Sequence, residues 1–265
     1  GISLKTGVLV QSGGVNQCRI LNIDLRDTTQ RQLLEELEDG VVITPNVDQI
    51  VKLQKDREFY DIVKEAKWIV CDSKILYLCS KLTKHPLREA IPGSSFFPAF
   101  CNYHKDDKNC KIFLLGGMDD SAVTAMQRIN ERIGRQMVTC AYSPSYGFEK
   151  NLEENEQIYR MVNQSGASVV LVGLGCPKQE KWINTHKARM PGVKIWLALG
   201  ATIDFEAGKV KRAPVVYQRL CIEWLYRFTQ EPRRLFRRYF VDDPKFFWLF
   251  LKQLSGTYND PWSPP

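Results

Sequence analysis

The stretch Val169-Val170-Leu171-Val172-Gly173-Leu174-Gly175-Cys176-Pro177-Lys178-Gln179-Glu180-Lys181-Trp182 decides the fold. Four consecutive valine or leucine residues without polar alternation read as a strand buried on both faces. Two glycines and a proline stop that strand, and a polar segment from Gln179 opens a helix. A strand, a glycine-rich loop and a helix N-terminus together favour anions, because exposed backbone N–H groups and the helix dipole act at one place. The loop is not a Walker motif, since no G-x-x-x-x-G-K-[ST] is present, and Lys178 takes the third glycine position of G-x-G-x-x-G. Taken alone, it is equally an ordinary strand-to-helix turn.

The same alternation repeats on both sides of this stretch. Strands are predicted at about 19–23, 41–43, 68–71, 111–115, 137–141 and 193–199. Helices are predicted from Thr28, and over about 47–53, 57–66, 75–82, 96–101, 153–163 and 179–189, with another capped by Asp119 or Asp120 that reaches 133. Pro92-Gly93-Ser94 reads as a turn. This alternation predicts an α/β fold: a Rossmann-like parallel sheet with helices on both faces, plus a basic C-terminal helical appendage. Ligands of such sheets bind beyond the carboxyl ends of the strands. Thr44, Asn46, Asp72, Gly116, Gly117, Gly173, Gly175 and Asp204 are therefore expected around one crevice.

The chain of 265 residues divides on this reading into a mobile N-terminal segment (1–18), an α/β core (19–211) and the appendage (212–265). Hydrophobic residues make up 44%, enough for a substantial core, yet the longest relevant apolar run, 246–251, is far short of a membrane span. No signal-peptide pattern opens the sequence. Eight cysteines without a C-x-x-C pair, and three histidines away from them, argue against zinc and for reduced thiols in a cytosol. The net charge of +7 is carried entirely by residues 209–238, which hold nine Lys/Arg against two Glu. Nucleic-acid binders spread charge more widely or interleave it with stacking aromatics, so a nucleic-acid partner is not expected. Pairs of apolar residues alternate with pairs of arginines over 233–240, which suits an anionic membrane surface or closure over an active site; a solvated charged face is the plain alternative.

With these pieces in order, the chain resembles the WecG/TagA/CpsF family of bacterial glycosyltransferases from about residue 24 to 240. The resemblance is carried by T-P-N at 44–46, G-L-G-C-P-K-Q-E-K-W at 173–182, G-A-T-I-D-F-E-A-G-K-V-K-R-A-P at 200–214, E-W-L-Y-R-F at 223–228 and E-P-R-R-L-F-R-R-Y at 231–239. It implies inverting, metal-independent transfer from a UDP-sugar to a lipid-diphosphate-linked sugar, in teichoic acid, common-antigen or capsule assembly. It also implies a cytoplasmic protein peripheral at the inner face of the cell membrane, with a homo-oligomer as an option and no cofactor beyond the donor. Three positions depart from the family: Ser73 follows Asp72 in place of glycine, Ala90 stands where an arginine is usual, and Ser95 replaces an acidic residue. They fall where the family grips donor phosphate and sugar, and Arg88 lies two residues from the vacant arginine place.

Inverting transfer is one displacement, in which a base takes the acceptor hydroxyl proton as UDP departs from the opposite face. That base must be a carboxylate or histidine at the crevice. Asp72 matches the family's catalytic aspartate; with no resemblance to guide it, an aspartate after a strand reads as a helix N-cap. Thr44 and Asn46 can hydrogen-bond a sugar or phosphate, or simply end a strand and cap a helix. Gln179 and the loop are expected to hold the nucleotide, with Gly116 and Gly117; Glu180 can serve there or merely complement the helix dipole. Asp204 accepts from uracil or ribose, or is a turn aspartate. No D-x-D triplet occurs, so the diphosphate needs another source of positive charge, and Arg212, Arg227, Arg233, Arg234, Arg237 and Arg238 supply it. Two competing readings are a nicotinamide oxidoreductase, disfavoured by the missing fingerprint, and a non-catalytic UDP-sugar-binding relative with a regulatory or scaffold role.

Overall fold

The computed structural model describes residues 16–211, 213–220 and 223–264. Most of the segment expected to be mobile, and Arg212, lie outside the described residues.

A hairpin comes first: β1 (Gln17–Ile20) pairs antiparallel with β2 (Ile23–Arg26). The sequence suggested one short strand there. Leu21 turns the chain with φ of +54°, a conformation a leucine seldom adopts, so the turn left no glycine or proline mark. Contacts from the far end of the chain hold it. Gln253 accepts from the Leu21 N–H (2.7 Å) and donates to the Arg19 carbonyl (2.8 Å).

The body is a six-stranded sheet in the order β4-β3-β8-β7-β5-β6, all parallel. Its strands are β3 (Gly40–Ile43), β4 (Trp68–Ile69), β5 (Ile112–Gly116), β6 (Val138–Tyr142), β7 (Val169–Gly173) and β8 (Ile195–Ala198). The α/β Rossmann-like class read from the sequence is the one observed. The central strands are apolar on both sides. Phe113, Leu115, Val170, Val172, Trp196 and Ala198 face one layer, while Ile112, Leu114, Val169, Leu171, Ile195 and Leu197 face the other. Period-two alternation of side chains, with no polar residue to mark a wet face, produces this two-sided burial.

The first layer holds α2 (Val47–Leu53), α3 (Arg57–Lys64), α7 (Leu152–Ser165) and α8 (Lys178–His186); the second holds α1 (Gln30–Glu36), α5 (Gly93–Tyr103), α6 (Ser121–Ile133) and α9 (Thr202–Glu206). α4 (Lys74–Ser80) follows β4. The turn expected at 92–94 is the first turn of α5, which continues through Pro98 to Tyr103.

The stretch expected as an appendage from 212 onward divides in two. α10 (Val215–Arg219), α11 (Glu223–Gln230) and α12 (Pro232–Arg237), with the residues that follow them, leave Val216, Leu220, Phe236 and Phe240 more than half exposed. A π-helical turn, Arg238–Asp242, then leads into α13 (Asp243–Leu254). α13 packs on α2 and buries Phe246 and Phe250, whose rings stack 5.8 Å apart, in the first-layer core. Tyr258 and Trp262 fasten the end of the chain to Gln54 and to the Leu53 carbonyl. Residues 243–262 are therefore built into the α/β body, because their buried aromatics complete its core. No helix among the described residues is long and apolar enough to cross a membrane.

Candidate active site

All six strands run the same way, so their carboxyl ends open on one edge of the sheet. Direct contacts link these ends in series. The Asp72 N–H donates to the Pro45 carbonyl (3.2 Å), joining the chain after β4 to that after β3. Asp72 Oδ1 accepts from the Gly93 N–H (3.0 Å), the first residue of α5. A Cβ on Gly93 would stand 3.1 Å from Leu199, at the end of β8. One on Gly173 would stand 2.8 Å from the Gly200 carbonyl oxygen, and one on Gly116 2.3 Å from that of Gly173. Asp72, the α5 start and the ends of β8, β7 and β5 thus form one continuous rim.

Asp72 does not cap the helix after its strand. Ser73 does that, its hydroxyl accepting from the Leu76 N–H at 3.0 Å. Ser73 is extended (φ −112°, ψ 146°), so serine fits where the family usually has glycine. Asp72 points instead to the N-terminus of α5, where the helix dipole favours a negative charge.

The glycines of the rim separate into two kinds. Gly116 is buried, and neither it nor Gly173 has room for a side chain; Gly117 packs on Ser121 and Ile203. These three let the strand ends approach closely. Gly175 is exposed, has φ of +85° and has no other atom within 4 Å of a built Cβ. It alone of the four glycines expected to bind substrate presents its backbone to open space. α8 begins just beyond it with no side-chain cap; the Gln179 N–H is already taken by the Gly175 carbonyl (2.8 Å), so what the open turn offers an anion is the positive end of the helix dipole.

Gln179 and Glu180 are turned inward, each 1% exposed. The Gln179 amide accepts from the Gly200 N–H (3.3 Å) and donates to Glu180 Oε1 (3.0 Å). Burial pushes the Glu180 carboxyl up to about 7. Thr44 is buried at the end of β3. Asn46 caps α2 in a reciprocal box with Gln49 (3.0 and 3.3 Å). Asp204 is half-buried on α9, which Glu206 fastens to Arg132 on α6 at 2.9 Å. Arg88 does not fill the place left by Ala90. Its guanidinium is held on the surface by Asp27 (3.3 Å) and Gln32 (2.8 Å), while the half-buried Ala90 packs against the first-layer core. Arg227 is half-buried on α11 and Arg233 exposed on α12; Arg212 and the Arg234 side chain are outside what is described.

Two features of the rim carried no sequence signal. Ser143, after β6, donates to the Gly116 carbonyl (2.9 Å) and accepts from the Ala122 N–H (3.3 Å), bracing the β5 end. Glu154 accepts from Tyr142 (3.1 Å) and from the Ser145 N–H (2.9 Å), fixing a turn that carries a fully exposed Tyr146. A separate cleft of about 280 Å³ lies between the hairpin and β4, lined by Arg19, Arg26, Lys64 and Lys67. Its cations are largely spent: Arg19 pairs with Asp24, Lys64 with Asp61 and Lys67 with Asp39, while Arg26 stacks on Trp68.

The chain matches the glycosyl transferase WecG/TagA/CpsF family over residues 18–260. A protein of Staphylococcus aureus (strain MRSA252), named N-acetylglucosaminyldiphosphoundecaprenol N-acetyl-beta-D-mannosaminyltransferase, is 26% identical over 227 residues, covering 82% of this chain and 86% of the relative. The protein of the same name from strain MW2 is 25% identical over the same length and coverage.

Proposed function

The chain belongs to the glycosyl transferase WecG/TagA/CpsF family, and from that premise we propose that it moves a sugar from a UDP-sugar, with inversion and without a metal, to a polyprenyl-diphosphate-linked saccharide. On this reading the protein serves cell-surface polysaccharide synthesis, of which teichoic acid is one form. The names of the relatives make an N-acetylhexosamine donor and an N-acetylglucosaminyl-diphosphate-lipid acceptor the first substrates to try.

One observation carries the reading: the carboxylate of Asp72 stands on the ligand-side rim of a parallel sheet and does not cap its own helix. Asp72 takes the proton of the acceptor hydroxyl as that oxygen attacks the anomeric carbon, and UDP leaves from the far face. The Gly93 N–H holds Asp72 Oδ1 at 3.0 Å and so orients the carboxylate on the rim. The diphosphate rests at the open Gly175 turn and the uncapped start of α8, where the positive end of the helix dipole favours the departing charge. Thr44 and the Asn46 amide flank the sugar, and Asp204 the nucleoside. Arg212, together with Arg227, Arg233 and Arg234 of the C-terminal helices, complements the diphosphate in place of a metal.

The same helices seat the enzyme on the inner face of the membrane. Phe236, Phe240, Val241, Phe247, Trp248 and Leu251 are exposed large apolar side chains next to a strongly basic segment. Each Lys or Arg near an anionic surface adds about 1 kcal/mol, so several give reversible, salt-sensitive binding. The test is a mass-spectrometric screen of UDP-sugars against lipid-diphosphate acceptors, with EDTA present and absent. Metal-insensitive transfer with inverted anomeric configuration is expected. UDP binding without any turnover favours a non-catalytic relative, and strict dependence on Mg²⁺ or Mn²⁺ contradicts the metal-free chemistry.

A further inference from the structure

Gln179 and Glu180 form a buried clasp between the loops that follow β7 and β8. The Gly200 N–H needs an acceptor and finds Gln179 Oε1 at 3.3 Å. That turns Nε2 toward the Ala198 carbonyl (3.5 Å) and Glu180 Oε1 (3.0 Å). Glu180 Oε1 accepts from the amide in that orientation and so backs the bond that holds the two loops together.

The second carboxylate oxygen, Oε2, is buried with no hydrogen-bond partner. The groups around the carboxyl offset the cost of burying a charge only in part, so burial still dominates. Gln179 is neutral, and the Cys176 thiol faces the carboxyl from the loop, itself pushed far up by burial. Lys52 approaches from α2, but its ammonium is shared between Asp48 (3.3 Å) and the Cys176 carbonyl (3.3 Å). An ionised carboxylate here is poorly solvated, which is why burial brings its titration near neutrality, to about 7.

Gly175 and the uncapped start of α8 lie only a few residues from this carboxyl. An anion there and an ionised Glu180 repel each other through a medium that screens weakly. We infer that Glu180 is a positioning residue which holds the two loops as a neutral acid when a diphosphate occupies the Gly175 turn, so that donor binding draws one proton from solution onto Glu180. The inference rests on the nucleotide reading above. The balance is simple: an ionised Glu180 plus one proton from buffer becomes the acid, and no other bond changes.

The test is titration calorimetry of the full chain with UDP-N-acetylglucosamine, whose doubly esterified diphosphate has no group titrating near neutrality. Two buffers of different ionisation enthalpy count the protons. Proton uptake is expected around neutral pH, with affinity roughly tenfold weaker near pH 8.5 than near pH 6.5. Glu180→Gln should abolish both the uptake and the pH dependence, whereas Asp72→Asn should keep them. Binding without uptake, or equal uptake in E180Q, overturns this inference and leaves the nucleotide reading standing. Failure of the wild-type chain to bind overturns both. Should E180Q not fold, the wild-type and Asp72→Asn titrations still decide, since absent uptake in the first or lost uptake in the second refutes the assignment.

Discussion

Substituting two glycines of the rim separates packing from ligand contact. A Cβ on Gly116 falls 2.3 Å from the Gly173 carbonyl oxygen and 2.6 Å from its carbon, backbone atoms that cannot rotate away. The φ of +137° adds strain for any L side chain. Strain of about 1–2 kcal/mol and forced separation of β5 from β7 of about 1–3 kcal/mol give Gly116→Ala a loss of roughly 3 kcal/mol. At about 2–4 °C per kcal/mol for a chain of this size, Tm falls by roughly 10 °C. Gly175→Ala meets no atom within 4 Å and suffers only the φ of +85°, so about 1 kcal/mol and a few degrees are expected. Its UDP-sugar affinity, by contrast, should drop about tenfold or more, since the new methyl group occupies the space left for the diphosphate. Thermal unfolding by circular dichroism, paired with nucleotide titration, reads both effects. A Gly116→Ala protein with wild-type Tm would refute the strand-end packing argument. Full affinity in Gly175→Ala would place the nucleotide elsewhere.

Glu180 titrates higher in the fold than a carboxyl does in the unfolded chain, so its contribution is complete at acid pH and is lost as pH rises from about 4.5 through about 7. In urea unfolding at pH 8 against pH 5, wild type should lose up to roughly 3 kcal/mol that Glu180→Gln does not lose, and parallel pH profiles would show that the buried carboxyl is not the cause. Phe250→Ala should cost about 3–5 kcal/mol, because the ring fills the α13–α2 contact, and removal of everything after Pro214 should destabilise the whole α/β body; a truncated chain with an unchanged denaturant midpoint would contradict the docking of α13. Arg227→Ala with Arg233→Ala should weaken binding to anionic vesicles at low salt and lower turnover, and vesicle binding indifferent to both charge and salt would remove the electrostatic part of the membrane reading.

The sheet was legible because its strands are continuous apolar runs ended by glycine or polar residues, as at 169–175. The location of the rim followed from that, since parallel strands put their carboxyl ends together. What escaped was set by tertiary contact. The hairpin turn at Leu21 depends on Gln253, more than two hundred residues away in sequence. The glycines at 116, 173 and 175 look alike in sequence, but only the distance between neighbouring strand ends tells which has room above it. Gln179 and Glu180 follow an exposed loop and are polar, so nothing local signals that both point inward. Phe246 and Phe250 are spaced for one helical face, yet a six-residue apolar run suits an interface as well as a core. Arg88 is near the vacant arginine place in sequence, and Asp27 holds it away.

Turnover by Asp72→Asn, with UDP-N-acetylhexosamine as donor and a lipid-diphosphate-linked N-acetylglucosamine as acceptor, tests the general-base role of Asp72. Asparagine keeps an Oδ1 that can accept from the Gly93 N–H, so the start of α5 and the rim should persist. The amide cannot take the acceptor proton, so kcat should fall by about a hundredfold or more while donor affinity stays within about twofold. Full turnover in this variant, or a loss that merely tracks weakened donor binding, would contradict the assignment of Asp72 as the base.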